Sequence, residues 1–136
     1  MLYSYLIVGL IAFALVAPYY VTQVAEAQTS DRCDEEICSV KITKNGFEPR
    51  KLIVKIGATV IWTNTDDRRH TVTSGSPGEI TAPMKSPLLE KSDTYEIIFH
   101  HAGLYAGNYK YFDQVIQTMR GEIIVEEEEV KMEKAP

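Results

Sequence analysis

From residue 40 onward, apolar and polar positions alternate in short runs, and a turn signal bounds each run. Val40-Lys41-Ile42-Thr43 alternates and is followed by Asn45-Gly46, a pair suited to a tight hairpin turn. Residues 52–56 read Leu-Ile-Val-Lys-Ile ahead of Gly57, and residues 59–64 hold the single tryptophan, Trp62. His70-Thr71-Val72-Thr73 is a further short run, and Ser74-Gly75-Ser76-Pro77-Gly78 is expected as loop. Residues 79–92 carry Pro83 and Pro87 with little periodicity, which predicts an irregular crossing with at most one helical turn. Runs at 95–99, 105–112 and 121–128 supply the closing strands. No stretch sustains a 3.6-residue apolar period over helical length. The pattern predicts an all-β Greek-key sandwich of seven to eight strands.

The start of the chain follows a different rule. Residues 6–17 are an unbroken apolar run of twelve, followed by Pro18, polar residues and Ala25-Glu26-Ala27. A short apolar stretch ending in a small-x-small site reads as a secretory signal cut after Ala27. Two features leave a retained N-terminal anchor open. No Lys or Arg precedes the run, and the apolar stretch extends over residues 2–21, long enough to span a bilayer. Both readings place the remainder outside the cytoplasmic membrane. The expected organisation is a leader or anchor at 1–27, a linker with a cysteine pair at 28–37, one domain at 38–126 and a charged tail at 127–136.

Composition narrows the function classes. Hydrophobic residues make up 45% of the 136 residues, enough for a core, and the net charge is -5. The cations are scattered, with Arg68-Arg69 a tight pair, so no basic stripe exists to neutralise phosphates and a nucleic-acid partner is excluded. No nucleophile elbow, phosphate loop or zinc-protease motif is present, so no enzyme is expected. Cys33 and Cys38 stand close together after the leader, and in an oxidising compartment such a pair forms a disulfide. A thiol metal site is the alternative reading, although no His lies near them in sequence.

The middle of the chain resembles the cupredoxin family, the plastocyanin and amicyanin group of small blue copper proteins. The matching residues are Gly46-Phe47-x-Pro49, Leu52-x-Val54-x-x-Gly57-x-x-Val60-x-Trp62-x-Asn64-x-Asp66, then His70-Thr71-Val72-Thr73-Ser74-Gly75. Gly107-x-Tyr109-x-Tyr111 and Met119-Arg120-Gly121-Glu122-Ile123-Ile124-Val125 follow in the family's order. The resemblance implies a copper held by an early His and by Cys, His and Met on the loop before the last strand. A thiolate and two imidazoles bind the metal, and a distant thioether tunes its potential. His70 matches the first ligand and Met119 the last. Counting back from Met119 puts Asp113 at the Cys position and Ile116 at the second His position, and no Cys occurs after Cys38.

The candidate metal residues are therefore His70, Asp113 and Met119, and the cofactor is either copper at a non-standard site or none. His100 and His101 sit beside a turn, and one of them would join His70 and Asp113 if that loop folds toward the site. Otherwise Asp113 reads as a satisfied surface carboxylate, Met119 as a packing residue, and Asp66-Asp67-Arg68-Arg69 as a solvated turn. Trp62, Phe47, Tyr109 and Tyr111 read as core or strand-face packing. The expected function is a non-enzymatic accessory module that binds a protein partner. That partner is expected in a membrane-bound complex, with the membrane reached through the N-terminal segment if it is uncleaved. The competing class is a copper-binding or electron-transfer protein.

Overall fold

The structure is a computed structural model that describes residues 30–100 and 106–127. The leader, His101 and the tail beyond 127 lie outside the described residues. Among the described residues ten strands form two sheets: β1 (Asp31–Cys33), β2 (Ile37–Thr43), β3 (Gly46–Glu48), β4 (Lys51–Lys55), β5 (Thr59–Asn64), β6 (Thr73–Ser76), β7 (Glu79–Lys85), β8 (Thr94–Ile98), β9 (Gly107–Phe112) and β10 (Arg120–Glu126). One sheet runs β1-β4-β10-β9-β6-β7 and the other β3-β2-β5-β8. Among the described residues no helix is long and apolar enough to cross a membrane.

Alternation along the strands produces the core. β2 turns Cys38, Val40 and Ile42 inward, β5 turns Val60 and Trp62 inward, and β4 and β10 answer with Leu52, Val54, Ile123 and Val125. Successive strand side chains point to opposite faces, so a two-residue apolar period buries one face of each sheet against the other. Phe47, Trp62 and Tyr111 meet edge to face at the centre, with centroids 4.6 Å apart for Phe47–Tyr111 and 5.6 Å for Trp62–Tyr111. Tyr111 lies opposite Gly121 in the β9–β10 ladder, and any Cβ at Gly121 would overlap the phenol ring. The glycine is what makes room for the tyrosine.

Three expectations change. Two of the ten strands are only three residues long, which accounts for the count above seven or eight. The segment 79–92 is not an irregular crossing throughout: β7 forms a hairpin with β6 around Pro77-Gly78, within what was expected as loop. Pro83 is tolerated because β7 is the edge of its sheet, where a missing N–H breaks no interior ladder. The ladder shifts register between Thr73 and Gly75, and there Ser74 Oγ accepts the Met84 N–H at 2.7 Å. The cysteine segment is also more than a linker. β1 pairs in parallel with β4, and Cys33 and Cys38 are joined by a disulfide that ties β1 in one sheet to β2 in the other.

Candidate functional site

β5 ends at Asn64, and the turn after it is built by that side chain. Asn64 is fully buried; its Nδ2 donates to the Arg68 carbonyl at 2.8 Å and the Leu89 carbonyl at 2.9 Å, while its Oδ1 accepts from Asp66 N–H at 2.9 Å. His70 then makes a backbone bridge with Leu89, donating at 3.1 Å and accepting at 2.8 Å. These bonds fix both the ring of His70 and the carboxylate of Asp66 at the same end of the sandwich.

The opposing wall is the loop from β9 to β10. Asp113 N–H donates to the Met119 carbonyl at 3.1 Å, and Met119 N–H donates to the Ile116 carbonyl at 2.9 Å, so the loop closes on itself. The Asp113 side chain points inward and is completely buried. Its Oδ1 accepts from Thr71 N–H at 2.8 Å and from Val115 N–H at 3.0 Å. Its Oδ2 lies 2.7 Å from His70 Nδ1. On the other edge of the ring, His70 Nε2 lies 2.8 Å from Asp66 Oδ2. Ionised carboxylates only accept, so the two contacts are both satisfied when both ring nitrogens donate. The hydrogen bond from His70 holds the Asp66 carboxyl below its usual range.

Two sequence expectations are corrected here. Asp113 is a buried acceptor rather than a surface carboxylate, because three donors and a histidine converge on it. Asp66 belongs to the site and not to a solvated turn, because Asn64 Oδ1 bends the chain back toward His70. The signal for it was present, since Asn64-x-Asp66 is an Asx-turn pattern four residues before His70. Met119 is nearly buried, 7% exposed, within the hydrophobic core, and Ile116 packs against that core half-buried.

His100 takes no part. Phe99 pairs with Ala58 and Gly57, just before the start of β5, whereas His70 follows the far end of β5, a strand about 20 Å long. The proposed joining of His100 to His70 and Asp113 is therefore overturned for that residue.

A blue copper centre does not fit these residues. Asp113, which the resemblance sets at the thiolate position, is a hard carboxylate whose oxygens already accept four bonds, counting the weaker one from Thr71 Oγ1 at 3.3 Å. Asp66 and Asp113 flank opposite edges of one ring, so no single point faces all three donors. Ile116 offers no donor at all. Among the described residues no group of three or more His, Cys, Asp or Glu could hold a metal ion.

Residues 10–125 match the profile of the cupredoxin-like domain. The chain belongs to that family. Amicyanin of Paracoccus denitrificans is 36% identical over 89 residues, 64% of this chain and 63% of the relative, so the chain spans less than two thirds of that relative. A purple cupredoxin from Nitrosopumilus maritimus superposes with a TM-score of 0.59 at 26% identity, covering 65% of this chain and 99% of the other. A copper-containing nitrite reductase from Thermus scotoductus gives 0.57 at 26% identity over 67% of this chain, but only 22% of the reductase. The cupredoxin-like scaffold thus carries, at one end, a hydrogen-bonded carboxylate–imidazole–carboxylate cluster of Asp113, His70 and Asp66.

Proposed function

We propose that this cupredoxin-like domain is a non-enzymatic, extracytoplasmic partner-binding module that does not carry a blue copper centre. One observation carries the reading: both nitrogens of the buried His70 ring are taken by carboxylates, Asp113 at 2.7 Å and Asp66 at 2.8 Å. A ring held in this way pins two loops together and turns both of its nitrogens toward carboxylates instead of toward an open metal position. Next to the cluster, Val115 on the Asp113 loop is 50% exposed and Leu88, beside the His70-paired Leu89, is 52% exposed. Exposed apolar residues flanking a rigid loop suit a protein partner. The disulfide and the apolar leader support an oxidising compartment outside the membrane, with the leader either cleaved or kept as an anchor.

The second reading is a copper-binding or electron-transfer protein that uses His70, Asp113 and Met119. Its support is that the fold gathers these three on facing loops and that its neighbours include copper proteins. Adding Cu(II) to purified protein separates the two, with the visible spectrum and metal content as readouts. The expected result is neither a thiolate charge-transfer band nor stoichiometric copper. Stoichiometric copper that disappears in His70→Ala would establish the second reading instead. The double variant Asp113→Cys with Ile116→His is expected to gain an intense visible band with copper, since it restores the thiolate and second imidazole.

A further inference from the structure

Among the described residues the two sheets have four edge strands, β1, β7, β3 and β8, and three of them are blunted. β1 and β3 are three residues long, and β7 carries Pro83. Short length and proline both discourage pairing with another chain. β8 has neither protection, since its five residues contain no proline. The direction of its backbone groups follows from its two ends. Phe99 N–H donates to the Ala58 carbonyl at 2.9 Å, and the Asp93 carbonyl accepts from Asn64 N–H at 3.0 Å, so both residues face β5. Alternation then turns Tyr95 and Ile97 toward β5 and turns the N–H and C=O groups of Thr94, Glu96 and Ile98 outward. Those outward groups have no backbone partner among the described residues.

A second observation comes from the side chains of the same strand. Tyr95 and Ile97 pack against the core, whereas Thr94, Glu96 and Ile98 point to solvent. Ile98 is 47% exposed; across the ladder it neighbours Thr59, which in turn neighbours Ile37, 62% exposed. The pairing sets both isoleucines on the outer face of the sheet, in a row that ends at the open edge. Glu96 stands next to Ile61 on that face and has no ion-pair partner among the described residues.

We propose that the β8 edge docks an extended segment of a partner protein, which joins the four-stranded sheet with an apolar side chain beside Ile98 and a Lys or Arg beside Glu96. The outward N–H and C=O groups recur at every second residue, the spacing that an extended peptide matches. Glu96 selects the sign of the partner, because opposite charges across a strand pair attract and like charges repel. It also disfavours a second copy of this chain. Antiparallel pairing of β8 with itself about Glu96 would set one Glu96 directly against the other. This docking site rests on the partner-binding reading, but no residue of the His70 cluster belongs to β8. A peptide titration can therefore fail here while the copper titration still gives its expected result.

The test titrates the full chain with an end-capped peptide, Thr-Val-Thr-Lys-Thr-Val-Thr, and follows amide exchange by NMR. Saturable protection of the Thr94, Glu96 and Ile98 amides is expected, with Tyr95 and Ile97, already bonded to β5, unchanged. Replacing the peptide's Lys by Glu is expected to weaken binding about fivefold, the difference between an opposite-charge and a like-charge pair across strands. In Glu96→Lys, at an exposed position, the order of the two peptides is expected to invert. No protection, protection that ignores the alternation, or an unchanged order in Glu96→Lys overturns the proposal. Sedimentation of the chain without peptide is expected to show a monomer. A dimer that protects the same three amides would assign the edge to a second copy and overturn the proposal as well.

Discussion

The centre of the sandwich and its His70 end solve the burial problem in opposite ways. At the centre, Phe47, Trp62 and Tyr111 pack edge to face and leave two polar atoms, Trp62 Nε1 and Tyr111 Oη, without partners. At the end, His70, Asn64 and Asp113 are as deeply buried, yet their polar atoms are tied into Asp66, Thr71, Val115 and the backbone around Leu89. The centre is held by area and shape and tolerates a few unpaired groups. The end is held by a polar network, which is stable only when every member is bonded. The two regions draw on different forces, so the end can change its residues without disturbing the packing of the centre.

That contrast is open to direct attack, most strongly at Asp113. Asp113→Ala is expected to lower stability by about 3–5 kcal/mol, since it strands a buried imidazole and the Thr71 and Val115 N–H groups. Urea unfolding measures it. A loss below about 1 kcal/mol, the range of an ordinary surface substitution, would mean the end is not network-held. Gly121→Ala probes the centre and is expected to cost about 1–3 kcal/mol through overlap with the Tyr111 phenol. Combining it with Tyr111→Leu should give less than the sum of the two single losses, because the overlap is gone.

The smallest effect is the pH dependence of the end. The Asp66 carboxyl is lowered in the folded state by its hydrogen bond from His70, so the unfolded chain binds more protons over the interval between the two values. The stability it contributes is complete above the ordinary carboxylate range of about 4 and is lost as pH falls through the lowered folded value. Thermal melting of the parent should therefore fall more steeply than that of Asp66→Asn on acidification below about pH 4. Parallel curves would remove Asp66 from the network.

The strands were legible because burial of a sheet face imposes a two-residue period, as in Cys38, Val40 and Ile42 of β2 or Leu52 and Val54 of β4. The β6–β7 hairpin was not legible, because Pro83 and the polar Ser74-Gly75-Ser76 stretch conceal an edge strand whose ladder is completed partly by the Ser74 hydroxyl. At the site, the resemblance to the cupredoxins singled out His70, Asp113, Ile116 and Met119, and no Cys follows Cys38.

The chain alone thus determined the sandwich and the residue types at positions 70, 113, 116 and 119, since period and residue identity are properties of the string. Only the tertiary structure decided what those residues do. Asp66 comes from the turn after β5 and Asp113 from the loop after β9, 47 positions apart in sequence. Hydrogen bonds are short-ranged and directional, so the backbone had to bring both carboxylates to opposite edges of one imidazole before the cluster existed.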